Sequence, residues 1–147
     1  MSEISTITPT GKIRDIMSPH IIHCDPDDGI PEIAKKMMDE WVDTIFVLEK
    51  ETGKVIGVIT DGIIWNIVAN ADDNIYNYKA KDIMYKKILT IEADKPFNSI
   101  EELRGVLEKS LVKRVAVVSK GKIVGIVRRK FIEKIKRYSR HFNVEFS

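Results

Sequence analysis

One half of this chain repeats the other, and that limits the fold more than any single motif does. Lys12-Ile13-Arg14-Asp15-Ile16-Met17 returns 67 residues later as Lys79-Ala80-Lys81-Asp82-Ile83-Met84. The same offset of 67 aligns Ile21-Ile22 with Ile88-Leu89, Asp27 with Asp94 and Ile33 with Ile100. Trp41-Val42-Asp43-Thr44-Ile45 then matches Leu111-Val112-Lys113-Arg114-Val115 at an offset of 70, and Gly53-Lys54-Val55-Ile56-Gly57-Val58-Ile59 matches Gly121-Lys122-Ile123-Val124-Gly125-Ile126-Val127 at 68. The second copy thus gains about one helical turn before its strand, and the first has a hairpin loop two residues longer. Order and residue character are kept throughout, so one supersecondary pattern is used twice.

Each copy reads the same way. Short strands are expected over residues 21–24 and 88–91, ending at carboxylates (Asp25; Glu92, Asp94) that can cap a following helix. In the first copy Ile30, Ile33, Ala34, Met37, Met38 and Trp41 recur at helical spacing on one face, which predicts a helix with Trp41 as a packing residue. Phe97, Ile100, Leu103 and Leu107 give a weaker stripe in the second. Two β-branched runs follow, 44–48 with 55–59 and 115–118 with 123–127, each pair joined around a glycine as a hairpin. Helices over 62–69 and 130–140 close the copies.

The predicted fold is therefore α/β (α+β): two β-α-β-β-α repeats packed with pseudo-two-fold symmetry. The expected division is an N-terminal tail (1–12), repeat 1 (13–70), a linker rich in Asn and Asp (71–78), repeat 2 (79–141) and a C-terminal tail (142–147). A unit of about 60 residues buries too little surface to stand comfortably alone, so the copies should pack face to face.

Composition narrows the function. With 44% apolar and 31% charged residues the chain is a folded protein rather than a disordered one. No apolar run approaches the roughly 18 residues of a membrane span, and residues 1–12 lack a signal peptide's basic-then-apolar build. A cytoplasmic protein is expected. One cysteine and three histidines make neither a disulfide nor a zinc pattern. No phosphate-binding loop, dinucleotide fingerprint or nucleophile elbow is present, so neither enzymatic activity nor a required cofactor is expected. Net charge is +2, yet residues 128–141 alone carry +6 and the remainder −4. The closing helix sets Phe131, Ile132, Ile135, Tyr138 and Phe142 against a basic face. Without an aromatic stacking platform beside it, nucleic-acid binding ranks below the other readings.

The unit Asp-Ile-Met, strand, helix, strand, Gly-Lys-x-x-Gly-x-x strand, helix, present twice, resembles a tandem pair of cystathionine-β-synthase (CBS) domains, a Bateman module. The resemblance covers Ile13 to about Arg137. It implies two clefts between the copies, regulatory binding of AMP, ADP, ATP or S-adenosylmethionine, and association into a disc-shaped homodimer. Family sites centre on Gly-x-x-Thr/Ser-x-x-Asp, where the hydroxyl meets a phosphate and the Asp holds the ribose diol. Here Gly57 and Thr60 match, with Ile63 at the Asp position; Gly125 matches, with Arg128 for Thr and Phe131 for Asp.

The candidate ligand-binding residues are Thr60, Asp61, Arg128, Arg129, Lys130, Ile22, His23, Lys113 and Arg114. Thr60 and Asp61 read equally as an N-cap for the next helix. Arg128-Arg129-Lys130, feeding a helix N-terminus, can hold a phosphate tail or begin a solvated basic helix. Lys113 and Arg114 flank the same cleft or serve only placement. Trp65 projects away from the Ile63, Ile64, Ile67 side of its helix and points to a subunit interface. The expected function is a regulatory module sensing an adenine nucleotide or related adenosyl ligand. The alternative is a ligand-free dimer that regulates a separate enzyme or transporter.

Overall fold

The computed structural model describes residues 11–70, 74–108 and 114–128. Each repeat contributes one three-stranded sheet. In repeat 1, β2 (His23–Cys24) runs parallel to β3 (Thr44–Leu48), which pairs antiparallel with β4 (Val55–Thr60). In repeat 2, β5 (Thr90–Glu92), β7 (Arg114–Ser119) and β8 (Lys122–Arg128) repeat that order and sense. Helices α1 (Ile30–Asp39) and α4 (Ile100–Leu107) cross over between the parallel strands, and α2 (Asp61–Asn70) follows β4. The second hairpin closes on two residues of positive φ, Lys120 at 52° and Gly121 at 79°, as a tight two-residue turn demands.

Side chains alternate across a strand, and here both faces are buried. In β3, Ile45 and Val47 point to a core with Cys24, Ile33, Met37 and Ile59; in β7, Val115 and Val117 point to a core with Ile91, Phe97 and Val127. The residues between them, Phe46 and Val58 from one sheet and Ala116 and Ile126 from the other, form a third cluster that joins the repeats. Phe46 and Ala116 occupy equivalent positions, so a large ring on one side is matched by a small side chain on the other. The duplicated sequence thus folds as two facing sheets with the pseudo-two-fold between them.

The two lead-in segments are exchanged. β1 (Gly11–Lys12), at the start of repeat 1, pairs with β6 (Pro96–Phe97) of repeat 2, and the equivalent bridge joins Lys79 to Gly29 of repeat 1. Ile13 is buried in the core of repeat 2, whereas Ala80, in the short helix α3 (Ala80–Ile83), is buried in that of repeat 1. Arg14 pairs with Asp94 at 3.2 Å, and its counterpart Lys81 pairs with Asp27 at 3.1 Å. Those hydrogen-bonded cations hold both carboxyls below the usual range. The Lys-x-x-Asp spacing has a local reason: the carboxylates of Asp15 and Asp82 each accept the N–H three residues back, of Lys12 and Lys79, at 2.9 Å.

Several local expectations are corrected. The strands after the lead-ins begin later than the sequence suggests, at His23 and Thr90. Helix α1 is not capped by Asp25: a turn intervenes, in which the Asp28 carboxylate accepts the Asp25 N–H at 3.0 Å, and Gly29 precedes the helix. For α4 the role falls to Ser99, whose hydroxyl accepts the Glu102 N–H at 3.1 Å. Phe97 lies in β6 and is buried, not on the helix. Trp41 is not a packing residue but 93% exposed. Helix α1 stops at Asp39, and Trp41 takes a left-handed φ of 54°. Its N–H donates to the Met38 carbonyl while that of Val42 donates to Met37, which closes the helix and turns the indole off the stripe. The linker contains a short 3-10 turn, Ile75–Asn77, within residues 74–78. The closing helix expected over 130–140 lies outside the described residues.

Candidate functional site

The strand registers set Thr44 opposite Thr60 in repeat 1 and Arg114 opposite Arg128 in repeat 2. These are equivalent places, at the ends of the hairpins where α2 begins in the first copy. Thr60 is half-buried and its hydroxyl oxygen accepts the Ile63 N–H at 3.3 Å; the Asp61 carboxylate accepts the Gly62 N–H at 2.8 Å. Both therefore cap α2, and one Asp61 oxygen carries no bond among the described residues. Ile63, at the position of the expected ribose acceptor, packs against the core of repeat 1.

A residue not singled out by sequence ties this point to the other repeat. The Asp43 backbone carbonyl accepts the Asp61 N–H at 3.0 Å. Its side-chain Oδ1 accepts the Thr44 hydroxyl at 3.1 Å, and the same oxygen meets Nη1 of Arg114. Arg114 is 9% exposed, and its Nε is buried without an acceptor among the described residues. Burial pushes the guanidinium below its ordinary value, and the like charge of Arg128 adds to that. Asp43 aligns with Lys113 in the duplication, so opposite charges at equivalent positions were the available signal.

Beside this pair opens a largely apolar cavity of about 590 Å³. Ala34, Met37, Met38, Trp41 and Val42 line it from the first helix and the turn after it, Ile64 and Trp65 from α2, and Asp43, Asp61 and Arg114 at its charged end. Of the predicted site residues, Asp61 and Arg114 line this cavity, whereas Thr60, next to Asp61 and capping α2, does not. Arg128 is exposed at the end of β8, next to Arg114 in register. Ile22 packs against the core of repeat 1, its carbonyl accepting the Phe46 N–H at 3.1 Å; His23 is exposed, its carbonyl taking Lys36 Nζ at 3.2 Å. Neither lines the cavity. Lys113, Arg129 and Lys130 lie outside the described residues. Among the described residues no cluster of three or more His, Cys, Asp or Glu is placed to hold a metal.

The profile of the CBS domain matches this chain twice, at residues 13–64 and 80–130. The chain belongs to the CBS-domain family. The uncharacterized protein YlbB of Bacillus subtilis is 28% identical over 117 residues, which is 79% of this chain and 76% of that one. The uncharacterized protein MK0525 of Methanopyrus kandleri is 26% identical over 86% of this chain, which spans 63% of that protein's length. Among solved structures, the CBS domain pair of protein MJ0100, in complex with 5′-methylthioadenosine and S-adenosyl-L-methionine, superposes with a TM-score of 0.71. It is 24% identical and the match covers 88% of this chain and 98% of that one. CBSX2 of Arabidopsis thaliana, a CBS-pair protein, also gives 0.71, at 17% identity over 90% and 99% of the two chains. At such identities the likeness is one of fold: a tandem CBS pair. Among the described residues no helix is long and apolar enough to cross a membrane.

Proposed function

We propose that this CBS pair is a cytoplasmic regulatory module that binds an adenine nucleotide or related adenosyl ligand where the two repeats meet, without catalysing a reaction on it. The observation that carries the reading is Arg114, a nearly buried cation whose Nε has no acceptor among the described residues, beside the N-terminus of α2 and next in register to Arg128. A helix N-terminus and a guanidinium fork both favour anions. Lys113, Arg129 and Lys130, adjacent to them in sequence, add cations to the anion-binding set. In the set as proposed, the Thr60 hydroxyl meets the phosphate end and Asp61 stands in for the missing ribose acceptor, while Ile22 and His23, outside the cavity, complete the set expected from the sequence. The MJ0100 pair, of the same fold, holds two adenosyl compounds. The test is a thermal-shift panel of AMP, ADP, ATP and S-adenosylmethionine. A ligand specific to the native state, at 100 times its Kd, adds about 2.7 kcal/mol. Silence from all four at millimolar concentration ends the proposal.

A second reading, a dimeric interaction module, is favoured by the exposed Met38, Trp41, Trp65 and Val68 on α1, α2 and the turn between them. An apolar patch of this kind on a folded protein marks a contact surface. A homodimer joined through these helices is the form in which the module would act on a separate enzyme or transporter.

A further inference from the structure

Arg114 is held in an incomplete way. Its one acceptor among the described residues, Asp43 Oδ1, meets Nη1 alone and already serves the Thr44 hydroxyl, while Nε has no acceptor. A guanidinium is best satisfied by an anion that takes two parallel N–H groups at once. A phosphate presents oxygens with that geometry, and a carboxylate fixed at one oxygen by a neighbour does not. Asp43 also touches the other half of the site, since its carbonyl holds the first N–H of α2. We infer that Asp43 is an internal competitor for the anion site at Arg114. In the empty protein it occupies the guanidinium, and a ligand must displace it. The displacement sets a threshold of charge, so ligands with more anionic oxygens bind and neutral ones do not repay the loss of the ion pair. Asp43 is in this sense a specificity-determining residue that need not contact the ligand.

The inference rests on an anion site at Arg114 and not on the adenosine part of the ligand, so tripolyphosphate is the probe. Binding is measured by calorimetry to the full chain and to Asp43→Asn, which keeps the backbone bond to Asp61 and removes the competing charge. Tripolyphosphate is expected to bind about tenfold more tightly to the variant, in line with the loss of one charge-assisted competitor. Thr44→Val, which frees Asp43 Oδ1 from its hydroxyl without removing the charge, is expected to shift affinity in the opposite direction by a few-fold, because the carboxylate is then held by Arg114 alone. It stands in if Asp43→Asn does not fold. Unchanged or weaker binding by Asp43→Asn, or no binding of tripolyphosphate to either protein, overturns the inference. If tripolyphosphate behaves as expected but no adenosine compound shifts the melting curve, the competitor stands and the adenosyl reading falls.

Discussion

The sulfur of Met17 lies 2.6 Å from the point where a Cβ on Gly125 would stand, and the Ser18 carbonyl oxygen lies 2.8 Å from it. Met17 belongs to the lead-in of repeat 1 and Gly125 to the last strand of repeat 2. At the equivalent place Met84 fills the space above Gly57. The methionine of Asp-Ile-Met and the second glycine of Gly-Lys-x-x-Gly are therefore partners across the exchange: one supplies the bulk and the other leaves room for it. In both places the lead-in also bonds to the strand: Ser18 with Ile126, and Tyr85 with Val58.

Gly57→Ala and Gly125→Ala should each lower stability by about 1–3 kcal/mol, the usual cost of overpacking. Gly125→Ala is expected to be worse, because one of its obstacles is a backbone carbonyl that no rotamer change can move. Urea unfolding gives both values. Combining Gly57→Ala with Met84→Ala should cost less than the two single changes added, and strict additivity would disprove the contact.

Trp41 sits at a left-handed φ that costs a bulky residue about 1–2 kcal/mol. Trp41→Gly, compared with the native chain at submicromolar concentration, is expected to raise stability by about 1 kcal/mol despite glycine's greater freedom when unfolded. A lower urea midpoint would mean that the indole has a stabilising contact.

Sedimentation at micromolar concentration should report two chains, and Trp65→Ser should shift the protein toward one. A native monomer over that range removes the dimeric reading.

Ile63 packs against the core of repeat 1, so the site proposed there has no carboxylate at the place the family signature gives to the ribose acceptor. ATP and dATP should bind within a few-fold of each other, since the missing charged hydrogen bond is what would give about ten- to hundred-fold discrimination. Calorimetry decides it; a strong preference for ATP that survives Asp61→Ala places the ribose elsewhere.

Cys24 is 1% exposed, and burial, with Asp28 next, pushes its thiol up from 9.0 to about 12. Ellman's reagent at pH 8 should leave it unmodified until urea unfolds the chain. The unfolded thiol ionises above about 9 while the folded one keeps its proton, so this group's contribution is intact below pH 9 and declines toward pH 12, by about 1.4 kcal/mol per unit at most.

The duplication, the hairpins and the two-sheet fold were readable in the sequence because each depends on local pattern: β-branched runs, glycine turns and a helical stripe. What escaped depends on contacts between distant residues. Self-alignment shows that Ile13 and Ala80 are equivalent but not that each is buried in the other repeat. Trp41 continues the spacing of α1, yet periodicity carries no information about where the last turn unwinds. The ion pair of Asp43 with Arg114 spans 71 positions and joins residues that are not equivalent, so an alignment of one copy on the other passes over it.

The exchanged lead-ins also bear on how the molecule is made. When the first seventy or so residues leave the ribosome, their core still lacks Ala80, Ile83 and Met84. The nascent half therefore cannot close until the second half has begun to emerge. Cutting the gene at the linker would give two fragments that must find each other to complete either core. A lone ancestral copy with the same lead-in would have had to borrow that segment from a sister chain, and fusing two such genes turns the loan into a connection within one molecule.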